Sequence, residues 1–249
     1  MIRRLSLRDL FPCAPPWLQA TIVAVDAGLD PADDLDALRA IVREPRRVDE
    51  VLGWRSLRRR QHWFAGRRAA QALAPSLKWP PTGSFVEQQP GGAPLLVWAD
   101  RRHPITLTHS GTWALAALSP QTGIFAVDFE VGVQDKLYLK DRVCSRVEIE
   151  RHRLEDPDLP FEERVDRLAR IWVLKEALLK AYGVGLIADL KAFMAVDLSY
   201  DAPLRFEALS LLHADIPFPL PAGLWGAVTR FEGFPLAVAA DPGAAHESA

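Results

Sequence analysis

Two short stretches hold residues whose types and spacing could do chemistry. Asp128 and Glu130 stand two apart in TGIFAVDFEVG (122–132), and Glu176 lies between Lys175 and Lys180 in RIWVLKEALLKAYGVGL (170–186). The first stretch alternates, with Phe125, Val127, Phe129 and Val131 apolar and Ala126, Asp128 and Glu130 between them. That period predicts a strand with one buried face, and the other face then carries the two acids roughly 7 Å apart. Carboxylates at that separation repel each other, and a divalent cation would cancel the repulsion. Mg²⁺ takes a few carboxylate oxygens, keeps several waters and completes its shell with substrate phosphates. Asp128, Glu130 and Glu176 form a candidate ligand set for such an ion, with the lysines facing the phosphates it holds. Plainer readings exist for each part. Charges on an exposed strand edge discourage aggregation, and Glu176 with Lys180 is an ordinary i,i+4 surface pair.

Two further stretches supply possible anion contacts. His109 and Ser110 sit at the bend of TLTHSG (106–111). Adjacent strand residues point to opposite faces, so they are no catalytic dyad, and a hydrogen bond from His109 to a phosphate is the more plausible role. In RRRQHWFAGRRAAQ (58–71), Arg60, Phe64, Arg67 and Gln71 share roughly one helix face. Arginine suits bidentate phosphate contacts, although a basic helix face is also simply well solvated.

The elements that must position these residues follow from patterning. The segment 161–182 is rich in Ala, Leu, Lys and Glu and predicts a helix, with Ile171, Leu174 and Leu178 as its buried stripe and Gly183 as a left-handed C-cap. ATIVAVDAG (20–28) predicts a strand, 31–42 a helix with acidic residues in its first turn, and 46–75 mostly helix ended by Pro75. Segments around PPTG and QQPGGAP are turn-rich. Residues 104–119 predict two short strands about a Ser-Gly bend, and strands are expected near 192–198, 204–211, 223–230 and 234–240. LWGAVTRFEGFPLAVAAD echoes TWALAALSPQTGIFAVDFE, a hint of duplicated α+β halves, 1–121 and 122–249, with the last nine residues a frayed tail.

The composition excludes several classes. The 249 residues carry a formal net charge of −2, which gives no reason to expect nucleic acid or an anionic membrane as partner. Two distant cysteines make neither a metal motif nor a disulfide framework, and point to a reducing compartment. No apolar run approaches membrane-spanning length and the N-terminus lacks a signal-peptide core; a cytoplasmic protein is expected.

In order and spacing, RRRQHWFAGRRAAQAL, LTHSGTWALAALS, GIFAVDFE and WVLKEALLKAYGVGL resemble the surfactin-type 4'-phosphopantetheinyl transferases. The resemblance implies an α+β fold of two similar halves, an intramolecular pseudo-dimer with the active site in the cleft between them. It implies transfer of the 4'-phosphopantetheine arm from coenzyme A to a serine of an apo acyl or peptidyl carrier protein, with release of 3',5'-ADP. Carried over by position, Asp128, Glu130 and Glu176 would ligate Mg²⁺. Lys175 and Lys180 would contact phosphates, with Lys180 stabilising the leaving group and Glu176 the candidate base. His109, beside Ser110, would hydrogen-bond a phosphate, and Arg60 and Arg67 would lie near the nucleotide and its 3'-phosphate. A built-in pseudo-dimer needs no second copy, so a monomer is expected. Lys136, Lys140, Arg142, Arg146, Arg151 and Arg153 would suit an acidic carrier helix, or form a solvated face. The alternative to an active transferase is a degenerate relative that binds coenzyme A or a carrier without transfer.

Overall fold

The strand TIVAVD, β2 (Thr21–Asp26), is buried from Ile22 to Val25 and runs inside a four-stranded antiparallel sheet. That sheet has the order β1 (Ile2–Ser6), β2, β7 (Trp113–Leu118), β6 (Thr106–Ser110). The computed structural model describes residues 1–43, 45–88, 93–120, 124–132, 136–183, 190–204, 206–208 and 224–241. The chain divides into two compact units, one of Met1–Leu7 with Gln19–Pro120, the other of Arg8–Leu18 with Gln121–Ala249. The short helix α1 (Leu7–Leu10) opens the stretch that groups with the second unit.

In the first unit, helices α2 (Leu35–Ile41) and α3 (Pro45–Leu52) precede the long helix α4 (Leu57–Leu73). Ser56 caps α4 by accepting from the Arg59 N–H at 3.2 Å. Ala65, Ala69, Ala70 and Leu73 lay the helix on Val23, Val25, Ala114, Ala116 and Leu118 of the sheet. Small side chains on both partners allow a close approach of helix to sheet. Residues read as turns in the sequence contain a second antiparallel sheet, β3 (Phe85–Glu87), β4 (Leu95–Trp98) and β5 (Arg101–Pro104). These strands are three or four residues long, too short for their alternation to stand out among the flanking Gly and Pro.

The second unit repeats the plan of an antiparallel sheet under one long helix. Its sheet has the order β10 (Pro203–Leu204), β12 (Trp225–Phe231), β13 (Phe234–Asp241), β8 (Ile124–Phe129). Short helices α5 (Lys140–Val143) and α6 (Arg146–Arg151) lead to α7 (Phe161–Ala181). β9 (Phe193–Ala195) pairs with β11 (Phe206–Ala208). The α+β class expected from the sequence holds. Ile171, Leu174 and Leu178 are buried as expected, in one core with Val228, Ala237 and Ala239 of the sheet. Gly183 has φ +67° and its N–H bonds the Lys180 carbonyl at 3.1 Å, so the left-handed C-cap is present.

Two expectations need correction, and two fall partly or wholly outside the described residues. The echo between the two apolar strand pairs is not a repeated hairpin: β12 pairs with β13, whereas β7 pairs with β2 and β6 in one unit and β8 with β13 in the other. β8 has no solvent face, since Ala126 to Phe129 are all buried. The register Asp128↔Ala237 and Ala126↔Ala239 puts the acid on the face that α7 covers. The expected strand near 204–211 is described only at Pro203–Leu204 and Phe206–Ala208, and the tail expectation falls beyond Asp241, outside the described residues. Among the described residues no helix is long and apolar enough to cross a membrane.

Candidate active site

Helix α7 carries two of the predicted groups one turn apart, and β8 runs beneath it with the third. Asp128 is 5% exposed, and the Lys180 ammonium donates to its Oδ1 at 2.5 Å. Glu130 follows the end of β8; its Oε1 accepts the Gly132 N–H at 2.6 Å. Glu176 is half-buried and its Oε1 is shielded from water with no hydrogen-bond partner among the described residues. Burial raises its carboxyl to about 7; the Asp128 charge adds to the rise, Lys180 opposes it and Glu130 adds a smaller push. A pKa raised by burial and neighbouring carboxylates marks a group poised to exchange protons near neutrality.

Three acids with overlapping fields and one lysine leave an excess of negative charge. As the side chains lie, no three His, Cys, Asp or Glu residues among those described are grouped to hold a metal ion. Asp128 is engaged by Lys180 and Glu130 by a backbone amide. The donor set nevertheless fits a hard divalent cation: carboxylate oxygens from two packed elements, one of them without a hydrogen-bond partner among the described residues and raised in pKa by burial and the Asp128 charge.

Lys175 lies elsewhere than the sequence suggested. It is 0% exposed, and its Nζ donates to Glu148 Oε2 at 2.5 Å and to the carbonyls of Val143 and Leu190, each at 2.8 Å. All three ammonium protons are taken, so the group has none to offer a phosphate. Glu148, also 0% exposed, uses its other oxygen to accept the Ala195 N–H at 3.1 Å. The pair is structural: it ties α7 to α5, α6 and β9. The signal available in the sequence was Ser145-x-x-Glu148, the pattern of a capping box. Ser145 does cap α6, accepting the Glu148 N–H at 3.2 Å, but the glutamate turns inward.

The first unit holds the other candidates. Arg60 is consumed by a fork-to-fork pair with Asp30, at 3.2 and 2.6 Å, and by the Trp54 carbonyl at 2.6 Å. That contact holds the Asp30 carboxyl below its usual range, and it engages three of the five guanidinium N–H groups of Arg60 within the fold. Arg67 has no acid partner among the described residues. Its guanidinium lies 4.1 Å from the centre of the Trp63 ring, and burial, with Arg47 nearby, lowers its pKa to about 10. A cationic group so placed favours an anion that would restore its balance of charge.

Arg67 lines a pocket of about 390 Å³ with Arg47, Arg59, Trp54, Trp63 and His109, and no carboxylate lies in its wall. Arg59 stacks over Trp54 at 4.3 Å. His109 is exposed at the pocket and Ser110 is buried, as opposite pointing along β6 requires. Arg47 and Trp54 escaped the sequence reading because they come from outside α4, whereas Trp63 lies on α4 itself, four residues before Arg67. The basic set proposed for a carrier is partly neutralised in place: Lys140 pairs with Asp141 and Glu155, Arg146 with Glu150 and Glu155, and Arg153 with Asp156.

Comparison with known proteins bears on the second unit. Over 104 residues the chain is 36% identical to a Synechocystis sp. protein provisionally named a 4'-phosphopantetheinyl transferase. The match spans 41% of this chain and 40% of that relative's length. The model of the 4'-phosphopantetheinyl transferase superfamily matches residues 127–238, a stretch that contains Asp128, Glu130 and all of α7. Over those residues the chain is similar to the 4'-phosphopantetheinyl transferase superfamily.

Proposed function

We propose that this protein is a transferase of the surfactin type, moving the 4'-phosphopantetheine arm of coenzyme A onto a serine of an apo carrier protein. The observation that carries the reading is the orphaned, half-buried Glu176 carboxylate beside Asp128, Glu130 and Lys180. Asp128, Glu130 and Glu176 would hold Mg²⁺, which when bound supplies charge neutralisation on the pyrophosphate of coenzyme A.

The chain's own residues account for the rest. Glu176 accepts the proton of the carrier serine as its oxygen attacks the phosphorus on the pantetheine side. The bond from that phosphorus to the bridging oxygen breaks, and 3',5'-ADP leaves with the electron pair. Lys180, held by Asp128 on the accessible side of α7, donates to the charge that develops on the phosphates. The pocket of Arg67 and His109 takes the nucleotide phosphates, with Trp54 and Trp63 offering flat faces to the base. Lys175 and Arg60 have no part in binding.

The test is the intact mass of an apo carrier protein after incubation with this protein, coenzyme A and Mg²⁺. Gain of one phosphopantetheine, lost without Mg²⁺ and lost in Glu176→Gln, is the expected result. Absence of any gain across fatty-acid, polyketide and peptide carriers, with coenzyme A still bound, would leave a binding protein and refute the transferase.

A further inference from the structure

His62 lies on α4, in the second turn of the helix, and its ring makes one contact with β6 and one with the turn that follows it. Its Nε2 is 2.9 Å from the Gly111 carbonyl oxygen. A carbonyl only accepts, so Nε2 carries the proton and the hydrogen bond fixes that end of the ring. Its plane meets the His109 ring edge to face, with centroids 4.8 Å apart and an interplanar angle of 75°. Gly111 has φ +59°, a conformation that keeps the turn between β6 and β7 tight. The Ala27 N–H holds the same turn from β2's end, bonding the Thr112 carbonyl at 2.7 Å. His62 and His109 both line the basic pocket beside Arg67.

Of these groups, His109 is the exposed one at the rim, where its orientation decides whether it meets an anion. An imidazole whose ring is oriented before an anion arrives binds it at a lower entropic cost. The ring of His62 packs against the His109 ring, and its bond to Gly111 holds the backbone from which His109 projects. We propose that His62 is a positioning residue for His109, setting its ring for a phosphate of the nucleotide bound in this pocket. The inference rests on the reading of the pocket as the nucleotide site.

The test compares His62→Leu, which loses both contacts, with His62→Gln, which keeps a donor within reach of Gly111, and with His62→Phe, which keeps the ring edge. Affinity for coenzyme A and for 3',5'-ADP is read by calorimetry, and KM and kcat by the carrier mass assay. His62→Leu should weaken both ligands and raise KM about five- to tenfold, the worth of one modest hydrogen-bonding preorganisation. Its kcat should stay within twofold and its thermal midpoint close to that of the unaltered protein. His62→Gln and His62→Phe should each recover part of the affinity. In a His109→Ala background, His62→Leu should change affinity no further, because its effect passes through that ring. A purely structural role would instead lower the thermal midpoint with KM unchanged, or persist in the His109→Ala background, and either result overturns the inference while leaving the transferase intact. If the unaltered protein binds neither coenzyme A nor 3',5'-ADP, the nucleotide reading of the pocket fails and the inference falls with it. Should His62→Leu not fold, the Gln and Phe variants carry the same comparison, and equal affinity in both and in the unaltered protein overturns it.

Discussion

Replacing Lys175 by Met separates the structural role of this lysine from the phosphate contact its motif position implies. The change removes three hydrogen bonds at once, to Glu148 and to the carbonyls of Val143 and Leu190. It leaves a carboxylate at 0% exposure without its cation. Breaking a buried pair by deleting one partner costs about 3–5 kcal/mol, a large share of the roughly 5–15 kcal/mol that holds a typical domain folded. Burial pushes the Glu148 carboxyl up and Lys175 opposes the push. With the lysine gone, Glu148 stays protonated in the folded state to higher pH. The loss should therefore be largest above neutrality and shrink as pH falls toward the ordinary carboxylate value. The double change Lys175→Met with Glu148→Leu removes both charges and leaves only the carbonyls and the Ala195 N–H short of partners. It should be more stable than Lys175→Met alone by about 1–3 kcal/mol. Urea unfolding at two pH values measures each difference, and coenzyme A affinity of the folded double variant should match that of the unaltered protein. A cost below about 1 kcal/mol for Lys175→Met, joined to a loss of coenzyme A affinity, would refute the buried pair and return Lys175 to the phosphates.

Glu176→Gln, besides abolishing transfer, should stabilise the metal-free protein at high pH. A carboxyl moved from 4.5 to about 7 in the folded state corresponds to at most ~3 kcal/mol, and its partial exposure trims this to about 2 kcal/mol. The gain is absent near pH 4, where both states are protonated, grows between about pH 4.5 and 7, levels off above that, and is read by urea unfolding in a chelator. Added Mg²⁺ with coenzyme A should reverse the order, stabilising only the unaltered protein. Arg67→Ala should raise KM for coenzyme A about tenfold or more, whereas Arg60→Ala should leave KM within twofold because its donors belong to Asp30 and Trp54. Gly183→Ala should cost about 1 kcal/mol in thermal or urea unfolding, from its φ of +67° alone, since a Cβ there meets nothing within 4 Å.

The elements that were legible in the sequence are those whose own pattern is long enough to speak. Helix α7 announced itself through twenty-one residues of strong helix formers and a glycine stop, and its apolar stripe is the one found buried. Strands β12 and β13 were placed to within a residue or two by their apolar runs. The sheet of β3, β4 and β5 was not legible, because three- and four-residue strands carry less period than the turns between them. The two-faced burial of β8 was misread for a different reason. Alternation reports what a side chain is made of, and Ala126 is small enough to count as neither face. Only the register with Ala237 and Ala239 shows that the small residues make room for a helix, and that Asp128 lies under it.

The same distinction runs through the site. Side-chain type told that Asp128, Glu130, Glu176, Lys175 and Lys180 could work together, but not which lysine turns outward. In an α-helix, positions 175 and 180 are five residues apart, about 140° around the axis at 3.6 residues per turn. One face of α7 rests on the core, so both lysines cannot reach the same phosphate. The helix buries 171, 174, 175 and 178, and a lysine among them survives only if an acid is buried with it. Glu148 is that acid, 27 residues before Lys175 in the chain, and Lys180 is left to stand beside Asp128. The charge left over then falls on Glu176: burial raises its carboxyl, the Asp128 charge adds to the rise, and Lys180 offsets it only in part.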